Sequence, residues 1–384
     1  MTIVGFPDTP LDVVTELFIG GTWRDVSGDV LLRDGIRITR GRADEASQVD
    51  PSTCALSIRN TDGVYSPRNP TSPFYGTFGR NTPLRLSVRT VVDGFGRTVP
   101  AGWGSTPDGL VWDELGGGGS VVIGDFSVDG TSGIHTVPAA PAFRATHLEA
   151  GPFYRDCEVA VSFRLDVAPT GAGLEPATIM LRGQDLTTYY RARVTVGTDL
   201  AIGLAILDPD QQIISQTDLS LVYAVGARWR VRAQVEGPAI RMRVWDTAGP
   251  EPRGWHLVAV DPSPLMAAGW VGVRSGVAGG NTNPSPVTFR YDDFEVRLPR
   301  FAGEVSSWPP RWDVSGADVW VPITASGIGR RLGQGASPLR SALYREMTSP
   351  INSFFLVAYW PCEDGSTATQ IASASPAAPM RLSA

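Results

Sequence analysis

The sequence predicts a mainly β protein with a two-sheet sandwich, and two observations carry this prediction. Apolar and polar residues alternate along many short segments, most clearly at 84–89, 159–165 and 229–235, and a period of two is typical of half-buried strands. Turn signals rich in Gly, Pro, Asn and Asp separate these segments, as at 61–63 and 236–238, which favours many short strands packed as a sandwich.

One short helix is expected late in the chain. Ser337 suits an N-cap and Pro338 suits the first helical position, where the missing N–H costs no hydrogen bond. Leu339, Leu343 and Met347 then recur at four-residue spacing, which indicates one apolar helical face.

Composition excludes several classes of protein. All 33 basic residues of the 384 are arginine, so chemistry that needs a lysine, such as Schiff-base formation, is excluded. The net charge of −6 argues against a nucleic-acid partner. No apolar run is long enough to span a membrane, and the first twenty residues lack the basic start of a secretory signal. Cys54, Cys157 and Cys362 are too far apart in sequence to suggest a zinc cluster or a disulfide framework.

Breaks in the pattern divide the chain. Pro- and Gly-rich stretches near 99–104 and 298–300 flank a region dense in predicted strands. We expect one outer β domain formed by 1–100 and 300–350, a sandwich at 101–299 inserted into it, and the start of a further domain at 351–384. Insertions between close chain ends cost little loop entropy. Three domains in series remain an alternative.

Catalytic signatures are missing from the sequence. There is no GxSxG or HExxH motif, and the three histidines have no ligand-spaced neighbours. Asp292 and Asp293 are adjacent, and adjacent strand residues point to opposite faces, so they would not share a proton. We therefore expect no catalytic residue, no cofactor, no metal site and no enzyme. A calcium site at this aspartate pair is the less favoured alternative.

Arginines and aromatics occupy the polar positions of three predicted strands. The candidate ligand-binding residues are Tyr189, Arg191, Arg193, Arg230, Arg232, Arg241, Arg243 and Trp245. Like charges opposite each other destabilise a sheet by up to about 1 kcal/mol per pair, so something must offset them. One interpretation is an anionic glycan held by guanidinium groups and stacked on Tyr189 and Trp245. The other is internal pairing with Glu158, Asp293 and Glu295.

Two blocks of sequence resemble a known family. The first comprises residues 15–26, 38–45, 50–54, 60–70 and 79–83, and the second comprises 301–313 and 321–332. Both are similar to the N-terminal region of minor tail proteins, of the baseplate or tail-tip hub type, from long-tailed phages of actinobacteria. The stretches 189–193, 229–233 and 292–296 resemble a laminin-G or concanavalin-like jelly roll, and 354–365 resembles the start of a second, truncated one.

The resemblance implies a structural component of the virion tail tip, made in the host cytoplasm. A β-rich hub domain would assemble into a ring, with a trimer favoured over a hexamer, and would contact neighbouring tail proteins. The inserted jelly roll would attach to host cell-wall glycan. Residues after Asp364 would rest on a neighbouring subunit or on the outer domain. Trp308, Trp312 and Trp320 would pack against a partner or fill the hub's own core. The alternatives are a distal-tail-type ring protein, a cell-wall glycan hydrolase and the hub of a non-phage contractile injection particle.

Overall fold

The computed structural model describes residues 10–41, 51–138, 140–330, 341–349, 356–362, 364, 370–375 and 377–381. Strands dominate the described residues, and they are, in chain order, β1 (Asp12–Ile19), β2 (Thr22–Asp25), β3 (Arg37–Thr39), β4 (Thr53–Arg59), β5 (Thr82–Asp93), β6 (Thr98–Val99), β7 (Asp113–Gly117), β8 (Phe126–Asp129), β9 (Gly133–Val137), β10 (Ala142–His147), β11 (Cys157–Leu165), β12 (Leu174–Gly183), β13 (Tyr190–Val196), β14 (Ala201–Leu207), β15 (Ile213–Val222), β16 (Trp229–Glu236), β17 (Ala239–Asp246), β18 (Leu257–Val260), β19 (Trp270–Val277), β20 (Val287–Val305), β21 (Arg311–Trp312), β22 (Val319–Ser326), β23 (Gln370–Ile371) and β24 (Met380–Arg381). Short 3-10 turns lie at Ser27–Asp29, Leu32–Asp34 and Ile123–Asp125.

Two antiparallel sheets pack face to face as a sandwich. The smaller sheet has the order β15-β14-β13-β12-β19-β10-β7, and the larger runs β18-β17-β16-β11-β20 and continues into further strands. Alternate residues of both sheets point inward and form one apolar core, which includes Val161, Val231 and Phe289 from the larger sheet and Ile179 and Val273 from the smaller. The predicted mainly β fold with a two-sheet sandwich is confirmed.

A second, smaller core lies at the other end of the larger sheet. Strands β1, β4, β5, β20 and β22 contribute to it, with Leu17, Ile58, Leu84, Val305 and Ile323 among its buried residues. Since β22 pairs with β4 and β20 pairs with β5 along residues 82–93, the beginning of the chain and the segment after residue 300 share both a sheet and a core.

The 19-residue strand β20 belongs to both cores. Its first part pairs with β9 and β11, and its last residues pair with β22. The neighbouring strand β5 is divided in the same way, since Leu84 and Leu86 lie in the smaller core, whereas Val88 and Val91 lie in the larger. The expected domain boundary at residue 300 therefore falls inside a continuous strand.

Residues 10–40 and 52–327, apart from residue 139, form one compact unit, and the described residues of 41–51 and 328–384 belong to a second. In the second unit the helix α1 spans Ala342–Met347, and the Ser341 hydroxyl caps it by accepting a hydrogen bond from the Tyr344 N–H at 3.0 Å. The expected N-cap at Ser337, with Pro338 and Leu339, lies outside the described residues, as do Phe354, Phe355 and Glu363. Among the residues that the structure describes, no helix is long and apolar enough to cross a membrane.

The tryptophans of the 308–320 segment have different environments. Trp308 is buried, its ring packs edge-on against Phe78 at 4.8 Å, and its Nε1–H donates to the Gly79 carbonyl at 2.8 Å. Trp312 is 67% exposed. Trp308 therefore fills the smaller core, and Trp312 presents its ring to solvent in the described chain.

We expect Trp308→Ala to lower the free energy of unfolding by about 3–5 kcal/mol, because truncation leaves a cavity and an unpaired carbonyl. The matched control, Trp312→Ala, should change it by less than about 0.5 kcal/mol. Urea unfolding followed by tryptophan fluorescence measures both. Equal losses in the two variants would contradict the different roles assigned to these rings.

Candidate functional site

The outer face of the larger sheet carries arginines that strand alternation places opposite one another. In β16 and β17, Val231 and Val244 face the core, so Arg232 and Arg243 project from the other side. These two arginines are direct cross-strand partners, and both are only 3% exposed. Two buried like charges in register need counter-charges close by.

The counter-charges come from four separate elements, and together they form a buried ion-pair network. Glu16 lies on β1, Glu158 on β11 and Glu295 on β20, while Glu251 lies in the 247–256 loop that connects β17 to β18. The arginines of the network are Arg85, Arg230, Arg232, Arg243 and Arg297. The network thus holds five positive and four negative groups.

Arg232 and Glu251 lie at the centre of this network. The Arg232 guanidinium contacts Glu158, and its nitrogens lie 3.2 Å from both Glu251 Oε1 and Glu295 Oε1. Arg85 joins the carboxylates of Glu16 and Glu251 through contacts of 2.6 and 2.8 Å. Loss of one partner would leave a buried charge uncompensated, which costs more than the pair gains.

In the network, burial and ion pairing shift the pKa values of the charged groups in opposite directions. Burial raises the pKa of Glu295, but Arg232, Arg297 and Arg230 outweigh burial and hold it at about 2. The pKa of Glu251 is also lowered, again against burial, chiefly by Arg232 and Arg85. Burial lowers the pKa of Arg243 to about 10. At neutral pH all of these groups therefore stay charged.

Two adjoining cavities of about 380 and 800 Å³ open on the same outer face, and we call them together the arginine groove. Eight arginines line it: Arg40, Arg85, Arg155, Arg241, Arg243, Arg253, Arg297 and Arg300. Four acidic residues accompany them: Glu16, Asp156, Glu158 and Glu236. The groove is therefore positively charged, although the whole chain carries a net charge of −6.

Three of these arginines lie on the rim and are free to meet a ligand. Arg40, Arg155 and Arg300 are exposed, and within the described part of the chain none of them forms an ion pair. Trp23 and Trp255 line the groove beside them, with the guanidinium groups of Arg85 and Arg243 over their rings at 4.3 and 4.2 Å. Free guanidinium groups beside partly exposed indoles can bind the charge and the apolar face of an anionic sugar.

The eight residues singled out from the sequence do not lie together. Arg230, Arg232, Arg241, Arg243 and Trp245 lie on β16 and β17 of the larger sheet. The remaining three, Tyr189, Arg191 and Arg193, belong to the smaller sheet or directly precede it. The sequence shows which face of a strand a residue occupies, but not which sheet the strand joins.

Burial limits what the larger-sheet set can do. Arg230 pairs with Glu295 at 2.8 Å, Arg241 pairs with Glu236 at 3.2 Å, and Trp245 is buried. For Arg232 and Arg243 the structure favours internal pairing, the second of the two interpretations. Only Arg241 and Arg243 of this set line the groove.

The smaller-sheet set forms a separate cluster. Tyr189 is buried, and the Arg191 guanidinium covers its ring at 4.7 Å. Arg193 pairs with Glu175 at 3.2 Å. The ring of Tyr189 therefore has no open face on which a sugar could stack.

Asp292 and Asp293 both contact Arg228, at 2.8 and 2.5 Å. The two carboxylates thus share the Arg228 guanidinium group, and Arg230 lies 3.5 Å from Asp293. The calcium alternative for this pair has no support in these contacts.

Sequence reasoning missed the rim arginines and Glu251. Arg40, Arg155 and Arg300 are distant in sequence and meet only because β3, β11 and β20 belong to one folded unit. Glu251 lies in a loop without a periodic pattern. The one sequence signal for Glu251 is that it follows closely after the two arginine-bearing strands β16 and β17.

The fold defines a class, a β sandwich of the jelly-roll kind. No family model matches the chain, and no curated protein matches it. Among solved structures, the endo-β-1,3-glucanase of Pyrococcus furiosus has 12% identity and a TM-score of 0.42, over 56% of this chain and 96% of that one. The β-glucanase of Bacillus licheniformis has 10% identity and a TM-score of 0.39, over 54% and 97%. The carbohydrate-binding module CBM66 of Bacillus subtilis has 12% identity and a TM-score of 0.32, over 49% and 95%.

These comparisons correct one expectation. The expectation that the chain is not an enzyme is contradicted, since glucan-hydrolysing enzymes are among the solved structures that share the sandwich, and it is not kept. The likeness concerns the fold alone and assigns no residue of this chain to a reaction.

The network predicts a specific loss of stability in acid. A carboxylate whose folded pKa is depressed stabilises the fold above its unfolded pKa, near 4.3, and this contribution is lost as pH falls through the folded value. With the folded pKa of Glu295 at about 2, unfolding free energy should fall steeply between about pH 4.5 and 2. At neutral pH, Glu295→Gln should cost about 3–5 kcal/mol, because Arg230 and Arg232 lose a buried partner.

The control is Glu236→Gln, which removes an exposed ion pair with Arg241 and should cost less than about 1 kcal/mol. Urea unfolding of both variants across pH 2–8 measures the difference. If Glu295→Gln is as stable as the control at pH 7, the network does not stabilise the fold.

Proposed function

We propose that this protein binds an anionic glycan, bearing carboxylate or phosphate groups, in the arginine groove. The observation that supports this most directly is the set of exposed arginines on the rim, Arg40, Arg155 and Arg300, without ion-pair partners among the described residues. A guanidinium group binds carboxylate and phosphate with two parallel hydrogen bonds.

The dimensions of the groove favour an extended ligand over a single small anion. The two cavities share Arg40, Glu236 and Arg300 along their common border. A chain of sugars that crosses this border would meet Arg40 and Arg300 there and Arg155 in the larger cavity. The buried network beneath would keep the floor rigid, since its guanidinium groups already have partners.

Binding of a glycan is common to attachment and to hydrolysis. Two of the solved structures named above are glucanases, and the third is a carbohydrate-binding module. For this chain we propose recognition of the glycan. Cleavage of the glycan is measured in the same cell-wall binding experiment.

The biological setting that we propose is attachment of a phage tail tip to the host cell wall. Its support is the similarity of residues 15–83 and 301–332 to minor tail proteins of the hub type. In this setting the smaller core belongs to the hub, and the sandwich displays the groove. Partners would be further copies of the chain, neighbouring tail proteins and cell-wall glycan.

We expect the double variant Arg40→Gln/Arg300→Gln to bind isolated actinobacterial cell wall at least about tenfold more weakly than the wild type at low salt. Wild-type binding should itself weaken as salt rises from 0.05 to 0.5 M, because exposed charges are screened beyond about 10 Å at 0.1 M. Arg232 and Arg243 are unsuitable for this test, since changing them would break the buried network.

The matched control is Arg37→Gln/Arg68→Gln, which removes the same charge from positions outside the groove. A pull-down with cell wall measures binding, and reducing ends in the supernatant measure cleavage. If both double variants bind equally weakly, the loss reflects net charge alone, and the proposal that the groove binds the glycan is wrong. Release of sugar by the wild type would show that the protein also hydrolyses the glycan that it binds.

For assembly, we expect a trimer in solution at high protein concentration, on the basis of the resemblance to hub proteins. Native mass spectrometry of the full chain measures the oligomer. A hexamer would favour the distal-tail-type ring, and a monomer at every concentration would count against both rings.

A further inference from the structure

A histidine and two carboxylates meet on the outer face of the smaller sheet, and none of the three lines the arginine groove. His147 ends β10, Asp113 begins the edge strand β7, and Glu149 follows two residues after His147. The antiparallel register makes Asp113 and His147 direct cross-strand partners. Ligand atoms from the three side chains lie within 4.8 Å of one another.

The hydrogen bonding of His147 fixes which ring nitrogen faces the two carboxylates. Nδ1 lies 3.1 Å from the backbone carbonyl oxygen of Asp113. A carbonyl oxygen can only accept, so Nδ1 carries the proton and donates it. In the neutral ring Nε2 therefore holds a bare lone pair.

That lone pair has no hydrogen-bond partner, although it is buried. His147 is 1% exposed, and its Nε2 is without a hydrogen bond in the described structure. Glu149 Oε2, which is also an acceptor, lies 3.5 Å from it. Two facing acceptors, one of them buried, are satisfied by a donor or a cation placed between them.

We propose that Asp113, His147 and Glu149 bind a divalent transition metal ion of the Zn²⁺ class. Imidazole nitrogen and carboxylate oxygen suit such ions, whereas Ca²⁺ prefers oxygen ligands alone. In a tetrahedral zinc site, ligand atoms lie about 3.3 Å apart, and the observed 3.5 Å between Nε2 and Glu149 Oε2 is close to this. The Nδ1–H bond to the carbonyl is the usual outer-shell support of a metal-bound histidine.

The ion would link the edge strand β7 to the turn that follows β10. Asp113 belongs to the edge strand β7, and Glu149 lies in the turn after β10. The ring of Trp270 packs on the ring of His147, with 4.4 Å between their centroids. Because three protein groups supply the ligands, at least one coordination position remains for water.

Isothermal titration of the untagged full chain with ZnCl₂ at pH 7.5 tests the proposal. The experiment uses a Cys362→Ser background, since Cys362 is an exposed free thiol that could bind zinc by itself. We expect one Zn²⁺ per chain and no displacement by millimolar Ca²⁺. Zinc should also raise the Tm of the protein, because it binds only the folded state.

His147→Gln and Glu149→Gln should each weaken zinc binding at least about tenfold. The side chain of Glu149 is 60% exposed, so this variant folds even if the buried histidine cannot be replaced. The matched control is His256→Gln, since His256 lies outside the cluster and accepts a hydrogen bond from the Val244 N–H.

Saturable binding that disappears in the cluster variants and persists in the control would support the site. Absence of saturable binding to the wild type, or equal binding by all variants, would overturn it. If the wild type binds no zinc and NMR shows His147 protonated at pH 7.5, the cation between the acceptors is a proton, and the metal site is wrong.

Discussion

The pairing of β20 with β5 is the constraint on which the rest of the unit depends. Both strands run from the larger core into the smaller one, so one set of backbone hydrogen bonds positions two groups of buried side chains. A one-residue slip of either strand would exchange the inward and outward faces of that strand. The register shift between Pro299 and Phe301 separates Leu298 of the larger core from Phe301 of the smaller core, so β20 changes the face that it buries while the pairing continues.

The buried charges follow from this shared sheet. Because β1 and β5 extend the larger sheet beyond β20, Glu16 and Arg85 reach the same outer face as Glu158 and Arg232. The Arg297 side chain then bridges Glu16 and Glu295, with contacts of 2.8 and 2.9 Å. Charges from both ends of the sheet thus meet in one network, and the ion pairs fix the same relative placement of strands that the hydrogen bonds require.

Much of this could be predicted where local pattern decides the outcome. Alternation at 229–235 predicted the strand β16, and the turn signal at 236–238 marks the hairpin that sets Arg232 opposite Arg243. The sheet to which each strand belongs could not be predicted, because the alternation of apolar and polar residues does not indicate which strand pairs with which. For that reason the sequence does not separate Tyr189 and Arg191 from the arginines of the other sheet, and it does not indicate the cross-strand pair of Asp113 and His147.

The larger sheet carries buried arginines and exposed arginines, and burial decides whether an arginine needs a carboxylate partner. The buried arginines serve the stability of the fold, and the exposed ones are available to a ligand. Arg232 and Arg243 are buried, so each needs a carboxylate, and Glu251 is brought by a loop to supply one. Arg40 and Arg300 are exposed, where water solvates the guanidinium and a partner adds little stability. Folding therefore does not require them on this face. Their clustering in one groove raises the local concentration of anions around a chain that is acidic overall, and the rigid paired floor beneath them lowers the cost of ordering when a ligand binds.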